Sequence, residues 1–152
     1  MDSCELHSTP TTKFSGLPRS LPLSAERPRG THAWFESPGR RAWAICPLTE
    51  NGLVRVVSSP GYPGRRTTLD DAIWRLRVFC EHEDHLFWPD SVTIRDSELF
   101  ESASIQGYRR LTDIYLLALA VANHGALVTL DRSIGTSGVS GAREDHVTLL
   151  SA

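Results

Sequence analysis

The sequence predicts an α/β fold of three layers, in which a parallel β-sheet has helices on both faces. The first observation is that short apolar runs of strand length, such as residues 42–46 and 126–130, alternate with longer segments. The second is that residues 69–80 repeat their apolar side chains every three or four positions, as an amphipathic helix does. The third is size, because 152 residues with 40% hydrophobic side chains can bury one core of ordinary size but not two.

Charge and cysteine content restrict the class of protein. Sixteen basic and eighteen acidic residues give a formal charge of −2. This excludes nucleic-acid binding by bulk positive charge, but not an enzyme with a metal and a local arginine patch. Three cysteines, an odd number, favour reduced thiols. The sequence has no apolar run near the roughly 18 residues of a membrane span and no apolar signal core, so we expect a cytoplasmic protein without a membrane partner.

The first thirty residues differ from the rest of the chain. They contain four prolines among many serine, threonine and arginine residues, and their apolar residues show neither alternation nor a helical period. Residues 1–30 are therefore interpreted as an atypical N-terminal arm, a loop or a disordered segment. The folded domain is predicted over residues 31–152, and residues 31–36 resemble the end of a helix.

The first complete elements follow from short signals. Residues 42–46 are apolar and end at Pro47, which predicts a buried strand. A helix is predicted over residues 49–57, with the Thr49 hydroxyl capping its first turn. Residues 58–66 are rich in proline, glycine and serine and are predicted to form a loop.

The middle of the chain continues the alternation of strands and helices. Thr68 is the predicted N-cap of the amphipathic helix at residues 69–80. A short strand is predicted at residues 85–88 before a proline, and a weakly signalled helix at residues 91–100. Residues 102–107 read as a linker.

The strongest segment lies in the last third of the chain. Thr112 is the predicted N-cap of a helix that has Asp113 in its first turn, and Gly125 is the predicted C′ residue that ends it. This helix is apolar on almost every side, so we expect it to be buried. Strands are predicted at residues 126–130 and 146–150.

Three acidic residues lie after predicted strands or at the start of a predicted helix, at positions where a ligand can bind. Glu50 comes after the strand at 42–46, Asp131 directly follows the strand at 126–130, and Asp113 opens the buried helix. In a parallel sheet the ligand site lies beyond the carboxyl ends of the strands. Clustered carboxylates bind Mg²⁺ or Mn²⁺ and could thereby activate water for phosphodiester hydrolysis. Taken singly, each acid also fits a helix first turn or a turn after a strand.

Residues 47–56, 111–120 and 129–132 together resemble the PIN-domain ribonucleases of the VapC toxin type, and the similarity runs from about residue 31 to residue 150. The phrase Leu-Thr-Asp-x-Tyr-Leu-Leu-Ala-Leu-Ala is its most specific part. The resemblance implies a PIN-like domain that is a divalent-metal-dependent endoribonuclease, with tRNA-like RNA as a substrate. It also implies a cognate antitoxin, a homodimer and Mg²⁺ or Mn²⁺ as cofactor. The residues that it assigns to catalysis and metal binding are Glu50, Asp113 and Asp131.

The chain departs from the family pattern at the first family acid, which follows an apolar strand. Residues 1–30 contain no such strand, and Asp2 is the nearest candidate for a fourth metal-binding acid. Three explanations remain open: a shifted reading frame, a catalytically inactive relative that still binds an antitoxin, or an unusual route of Asp2 to the site. A phospho-receiver domain is a further class, but it needs a lysine after a late strand and the only lysine is Lys13.

Further residues are candidates for support and for RNA binding. Thr129 precedes Asp131 by two positions and is a candidate to support the metal site by hydrogen bonding, although a β-branched strand residue needs no such role. The arginines that are candidates for contacts with RNA phosphates are Arg65, Arg66, Arg109 and Arg110. A solvent-exposed loop and ion pairs with acidic residues are the alternative roles of these arginines.

Overall fold

The computed structural model describes residues 42–63, 66–105 and 107–150. The predictions for residues 1–41, which include the N-terminal arm, the helix end and Asp2, fall outside these ranges. The helices and strands follow in the order β1 (Trp43–Ile45), α1 (Pro47–Val57), α2 (Leu69–Cys80), β2 (His85–Phe87), α3 (Leu111–Ala122), β3 (Leu127–Thr129) and β4 (Val147–Leu149). Short 3₁₀ turns occur at Ser102–Ser104, Tyr108–Arg110 and Glu144–His146. The α/β class is therefore confirmed.

The strands pair in parallel, as the alternation of strands and helices predicts. β1 pairs with β2 in the register Trp43 to His85, and β3 pairs with β4 in the register Leu127 to Val147. The sequence predicts one sheet, whereas the described strands form two separate pairs. The family resemblance expects a further, central strand upstream of about residue 29, and residues 1–41 lie outside the described ranges.

An apolar cavity lies between the two strand pairs. It has a volume of about 850 Å³ and is lined by both β1 and β3, with Ala44 and Val128 among the lining residues. Leu119 and Ala120 of α3 also line it. In β1, Trp43 N–H and Ile45 C=O bond towards β2, so the peptide groups of Ala44 point to the opposite edge. The cavity therefore lies along an edge of β1 that carries no partner strand within the described ranges.

Helix α1 begins two residues earlier than the sequence signal indicates. The prediction of Thr49 as the N-cap is wrong, because Cys46 is the N-cap and Pro47 takes the first helical position. Proline suits that position because its φ is already helical and its missing N–H would have no partner there. The Thr49 hydroxyl still serves the first turn, since it accepts a hydrogen bond from the Cys46 N–H at 2.9 Å.

Helix α2 agrees with the sequence prediction at both ends. It spans Leu69–Cys80, and the Thr68 hydroxyl accepts a hydrogen bond from the Asp71 N–H at 3.1 Å. The predicted strands at residues 85–88, 126–130 and 146–150 are also confirmed, each shortened to three residues.

Helix α3 begins and ends differently from the prediction. Thr112 is wrong as the N-cap, because the 3₁₀ turn Tyr108–Arg110 leads directly into the helix and Arg110 is the N-cap. The 3₁₀ turn already has a helical backbone, so α3 begins without a capping side chain. Thr112 consequently lies inside the first turn of α3.

The C-terminus of α3 closes with the hydrogen bonds of a Schellman motif. The His124 N–H bonds to the Val121 carbonyl at 3.1 Å, and the Gly125 N–H bonds to the Ala120 carbonyl at 2.9 Å. The left-handed residue is His124, with φ of 55°, so the prediction that Gly125 occupies this position is wrong. Gly125 serves close packing instead, because a Cβ there would lie 2.5 Å from Cη2 of Trp88.

Two glycine substitutions are expected to change stability in opposite directions. Gly125→Ala should lower the free energy of unfolding by about 1–3 kcal/mol, because Trp88 has to move to admit the methyl group. Gly52→Ala should raise it by about 0.5–1 kcal/mol, because the position is inside α1 and has no atom within 4 Å of the added Cβ. Urea unfolding of both variants measures this, and a neutral Gly125→Ala would show that Trp88 adapts without cost.

The core is centred on α3, as its apolar sequence predicts. Its buried residues are Ile114, Leu117, Ala118, Leu119 and Ala120. Phe100 and Val139 pack against this helix and join each other in an antiparallel bridge. In the part of the chain that the structure describes, no helix has the length and apolar character needed to cross a membrane.

The prediction of a helix at residues 91–100 is wrong. The segment forms turns, in which the Asp96 carboxylate accepts hydrogen bonds from the N–H groups of Glu98 and Leu99 at 3.0 and 3.2 Å. Such local bonds from an aspartate side chain compete with helical backbone bonds. The turns lead Phe100 into the core.

Candidate functional site

The carboxylate of Asp131 lies directly after β3 and is held by a short network. The Ser133 N–H donates to Oδ1 at 2.8 Å, and the Ser133 hydroxyl donates to the same oxygen. The Asp131 N–H in turn donates to the hydroxyl of Thr129 at 3.0 Å. Ser133 therefore holds the carboxylate, while Thr129 holds the backbone of the same turn.

This network favours the ionised carboxylate. The hydrogen bond from the Ser133 hydroxyl lowers the pKa of Asp131 most, and the bond from the Ser133 N–H lowers it further. Desolvation opposes these effects weakly, and the positive charge of Arg110 adds to them. Asp131 thus presents a negative charge at neutral pH.

Arg110 connects Asp131 with the start of helix α3. Its Nη1 lies 3.3 Å from Oδ2 of Asp131 and also donates to the hydroxyl of Ser133. The guanidinium is one third exposed, and the Asp131 carboxylate is about half exposed, at 33% and 51% of the side chain. The pair joins two residues that are 21 positions apart in sequence.

Asp113 lines a small polar pocket beside this pair. The pocket has a volume of about 200 Å³, and Arg110 and Ser133 line it as well. Two more serines, Ser104 and Ser137, add hydroxyl groups to its wall. Asp113 itself is half-buried in the first turn of α3, and it shares the pocket with Arg110, which contacts Asp131.

Glu50 does not line this pocket. It is half-buried in the first turn of α1, and its charge contributes, after burial, to raising the pKa of the Cys80 thiol. Within the described ranges, no three His, Cys, Asp or Glu side chains are close enough to hold one metal ion. Asp113 therefore shares a pocket with Arg110, which contacts Asp131, and Glu50 does not line that pocket.

The chemistry of the Asp113 and Asp131 surroundings fits a hard divalent cation. Mg²⁺ in nucleic-acid enzymes commonly uses one or two carboxylates, with water and phosphate oxygens completing its shell. Asp131 already holds a positive group, the Arg110 guanidinium, against its Oδ2. The three serine hydroxyls and the Asp113 carboxylate of the pocket, with the Asp131 carboxylate that Arg110 contacts, provide oxygen donors, which such cations prefer.

The remaining arginine candidates occupy different surroundings. Arg66 and Arg109 are exposed, and Arg65 lies outside the described ranges. The Arg109 guanidinium lies over the ring of Tyr108 at 5.8 Å, and its Nε donates to the Tyr108 hydroxyl at 3.3 Å. Tyr108 is 82% exposed, so this cation–π pair stands at the surface next to the start of α3.

Ser133 was not among the residues that sequence reasoning selected. Its hydroxyl contacts both the Asp131 carboxylate and the Arg110 guanidinium. The signal that could have found it is the spacing, because an aspartate commonly accepts hydrogen bonds from the residue two positions later. Arg110 was selected for RNA, whereas the structure also places it on Asp131.

Comparison with known proteins finds relatives from Mycobacterium tuberculosis. Ribonuclease VapC44 is 40% identical over 118 residues, which cover 78% of this chain and 82% of that protein. Ribonuclease VapC39 is 34% identical over 111 residues, covering 73% and 80%, and Ribonuclease VapC38 is 36% identical over 103 residues, covering 68% and 71%. No protein-family model and no solved structure matches the chain.

Proposed function

The chain belongs to the VapC family of ribonucleases, and on this basis we propose that it cleaves RNA as the toxin of a toxin–antitoxin pair. The observation that carries the proposal is the 40% identity to a ribonuclease over 118 residues, which are 78% of this chain. It is an endoribonuclease, and hence a hydrolase, on the same ground.

Asp113 and Asp131 are the proposed metal-binding and catalytic acids, together with Glu50. The contact of Arg110 with Asp131 and the pocket that Arg110 shares with Asp113 support the first two, and the family motif supports Glu50. The family implies a divalent metal, and Mg²⁺ or Mn²⁺ is the proposed ion, which when bound activates water and offsets charge on phosphate oxygens. The protein contributes an ionised Asp131, kept so by Ser133, and Thr129 is the proposed support of that turn.

The substrate and partners are proposed from the family. RNA of the tRNA type is the proposed substrate, a cognate antitoxin the proposed inhibitor, and a homodimer the proposed assembly. The proposed location is the cytoplasm, where RNA is found. Arg66 and Arg109 are exposed and are proposed to contact RNA phosphates, as is Arg65.

A catalytically inactive relative that only binds an antitoxin is the alternative. The comparisons do not favour it, because the relatives are named ribonucleases. The two functions differ in one measurable property, which is the hydrolysis of RNA by the purified chain.

RNA cleavage should require a divalent cation. The purified chain is expected to cut RNA with Mg²⁺ or Mn²⁺ present and to lose this activity in EDTA, because the carboxylates need a cation to hold phosphate oxygens near them. Gel analysis of a labelled tRNA transcript measures the products. A folded chain, verified by circular dichroism, that cuts no RNA with either ion would support the inactive alternative.

A further inference from the structure

Arg110 uses a single nitrogen for both of its hydrogen bonds to the site. Within the described ranges, Nη1 contacts Asp131 and Ser133, while Nε and Nη2 make no hydrogen bond. The guanidinium is therefore attached at one corner and remains one third exposed. A contact of this kind is easily exchanged, because surface ion pairs contribute only about 0–1 kcal/mol.

Arg110 contacts the Asp131 oxygen that accepts no hydrogen bond from Ser133. Ser133 donates both of its hydrogen bonds to Oδ1, and Arg110 lies on Oδ2. If Asp131 held a divalent cation at Oδ2, the cation would meet the Arg110 guanidinium there. Two positive groups on one carboxylate oxygen repel each other, so they compete for it.

We infer that Arg110 is an internal counter-ion of the site, which competes with the divalent cation for Asp131 and is drawn away when an RNA phosphate binds. The pocket, which Arg110 lines with three serines and with the proposed cation ligand Asp113, provides the place for that phosphate. Arginine binds phosphate through two N–H groups at once, and its Nε and Nη2 edge is suited to this. Phosphate binding then frees Oδ2, so RNA and cation binding favour each other.

This inference rests on the proposed function, and its first test needs no RNA. Mn²⁺ binding to the full chain is measured by calorimetry for the wild type, Arg110→Ala and Arg110→Lys. Arg110→Ala should bind Mn²⁺ about two- to fivefold more tightly, the range expected when an exposed pair of this strength is removed. Arg110→Lys keeps the charge and should remain near the wild type.

Arg143→Ala is the matched control. Arg143 forms another exposed pair, with its Nε 3.2 Å from Oδ1 of Asp145, and it does not line the pocket. Its removal deletes the same charge and should leave Mn²⁺ affinity unchanged. A gain of equal size in Arg143→Ala would mean that net charge, and not the contact with Asp131, sets the affinity.

The second test adds RNA that resists cleavage. A 2′-O-methyl RNA oligonucleotide should tighten Mn²⁺ binding to the wild type by a larger factor than to Arg110→Ala, because only the wild type has a counter-ion to release. Unchanged or weaker Mn²⁺ binding by a folded Arg110→Ala variant would overturn the inference. A wild type that binds no Mn²⁺ would instead overturn the proposed metal site, and the inference with it.

Discussion

Replacing Asp113 with asparagine is expected to lower the rate of RNA cleavage by at least about a hundredfold. Even residues that only support a metal ligand cost about 10- to 100-fold when they are changed, and Asp113 is proposed to be a ligand itself. Asparagine keeps the shape of the side chain but removes the charge. Initial rates of cleavage of a labelled tRNA transcript with saturating Mn²⁺ measure the loss.

The fold should survive this change. Asp113 occupies the third helical position of α3, and Asp71 occupies the same position in α2. Each carboxylate contributes about 0.3–1 kcal/mol through the helix dipole, so both variants should unfold at similar urea concentrations. Asp71→Asn should cleave like the wild type. Metal-dependent cleavage that persists in Asp113→Asn would refute the site assignment.

Replacing Leu117 with alanine is expected to have the largest effect on stability. Leu117 has no exposed surface and lies in the cluster with Phe100, Ile114 and Val139. Truncation should lower the free energy of unfolding by about 2–5 kcal/mol, because it removes buried methyl groups and leaves a cavity. In a domain of this size such a loss is a large part of the total stability.

Leu69→Ala provides the comparison for Leu117→Ala. Leu69 is also a helical leucine, at the first position of α2, but its side chain is 61% exposed. Its truncation should change the free energy of unfolding by no more than about 0.5 kcal/mol. Urea unfolding followed by circular dichroism separates the two. Equal midpoints would show that α3 is not the centre of the core.

The sequence predicted those elements whose signals lie within a few residues. Helix α2 has its cap at Thr68, its apolar positions at helical spacing and its end at Cys80, and all three agree with the structure. The buried helix α3 was predicted for a similar reason, because its apolar residues fall on every side. Short apolar runs likewise predicted the four strands.

Errors arose where two local signals compete. At the start of α3, Thr112 satisfies the N-cap pattern, yet the preceding 3₁₀ turn already provides a helical start at Arg110. At residues 91–100, the Asp96 side chain stabilises turns in a segment with weak helical periodicity. The choice between such signals depends on packing, which brings Phe100 to Val139 across 39 positions of sequence.

The candidate site also has a part that the sequence predicted and a part that only the tertiary structure showed. The sequence alone placed Glu50, Asp113 and Asp131 after strands or at helix starts, and its motifs identified the family, because both properties depend on neighbouring residues. Only the tertiary structure showed that Arg110 contacts Asp131, that Ser133 bonds to both, and that Glu50 does not line the pocket of Arg110 and Asp113. Arg110 precedes helix α3, and Asp131 follows strand β3, 21 positions later in the sequence. The two residues meet because that helix packs against that strand.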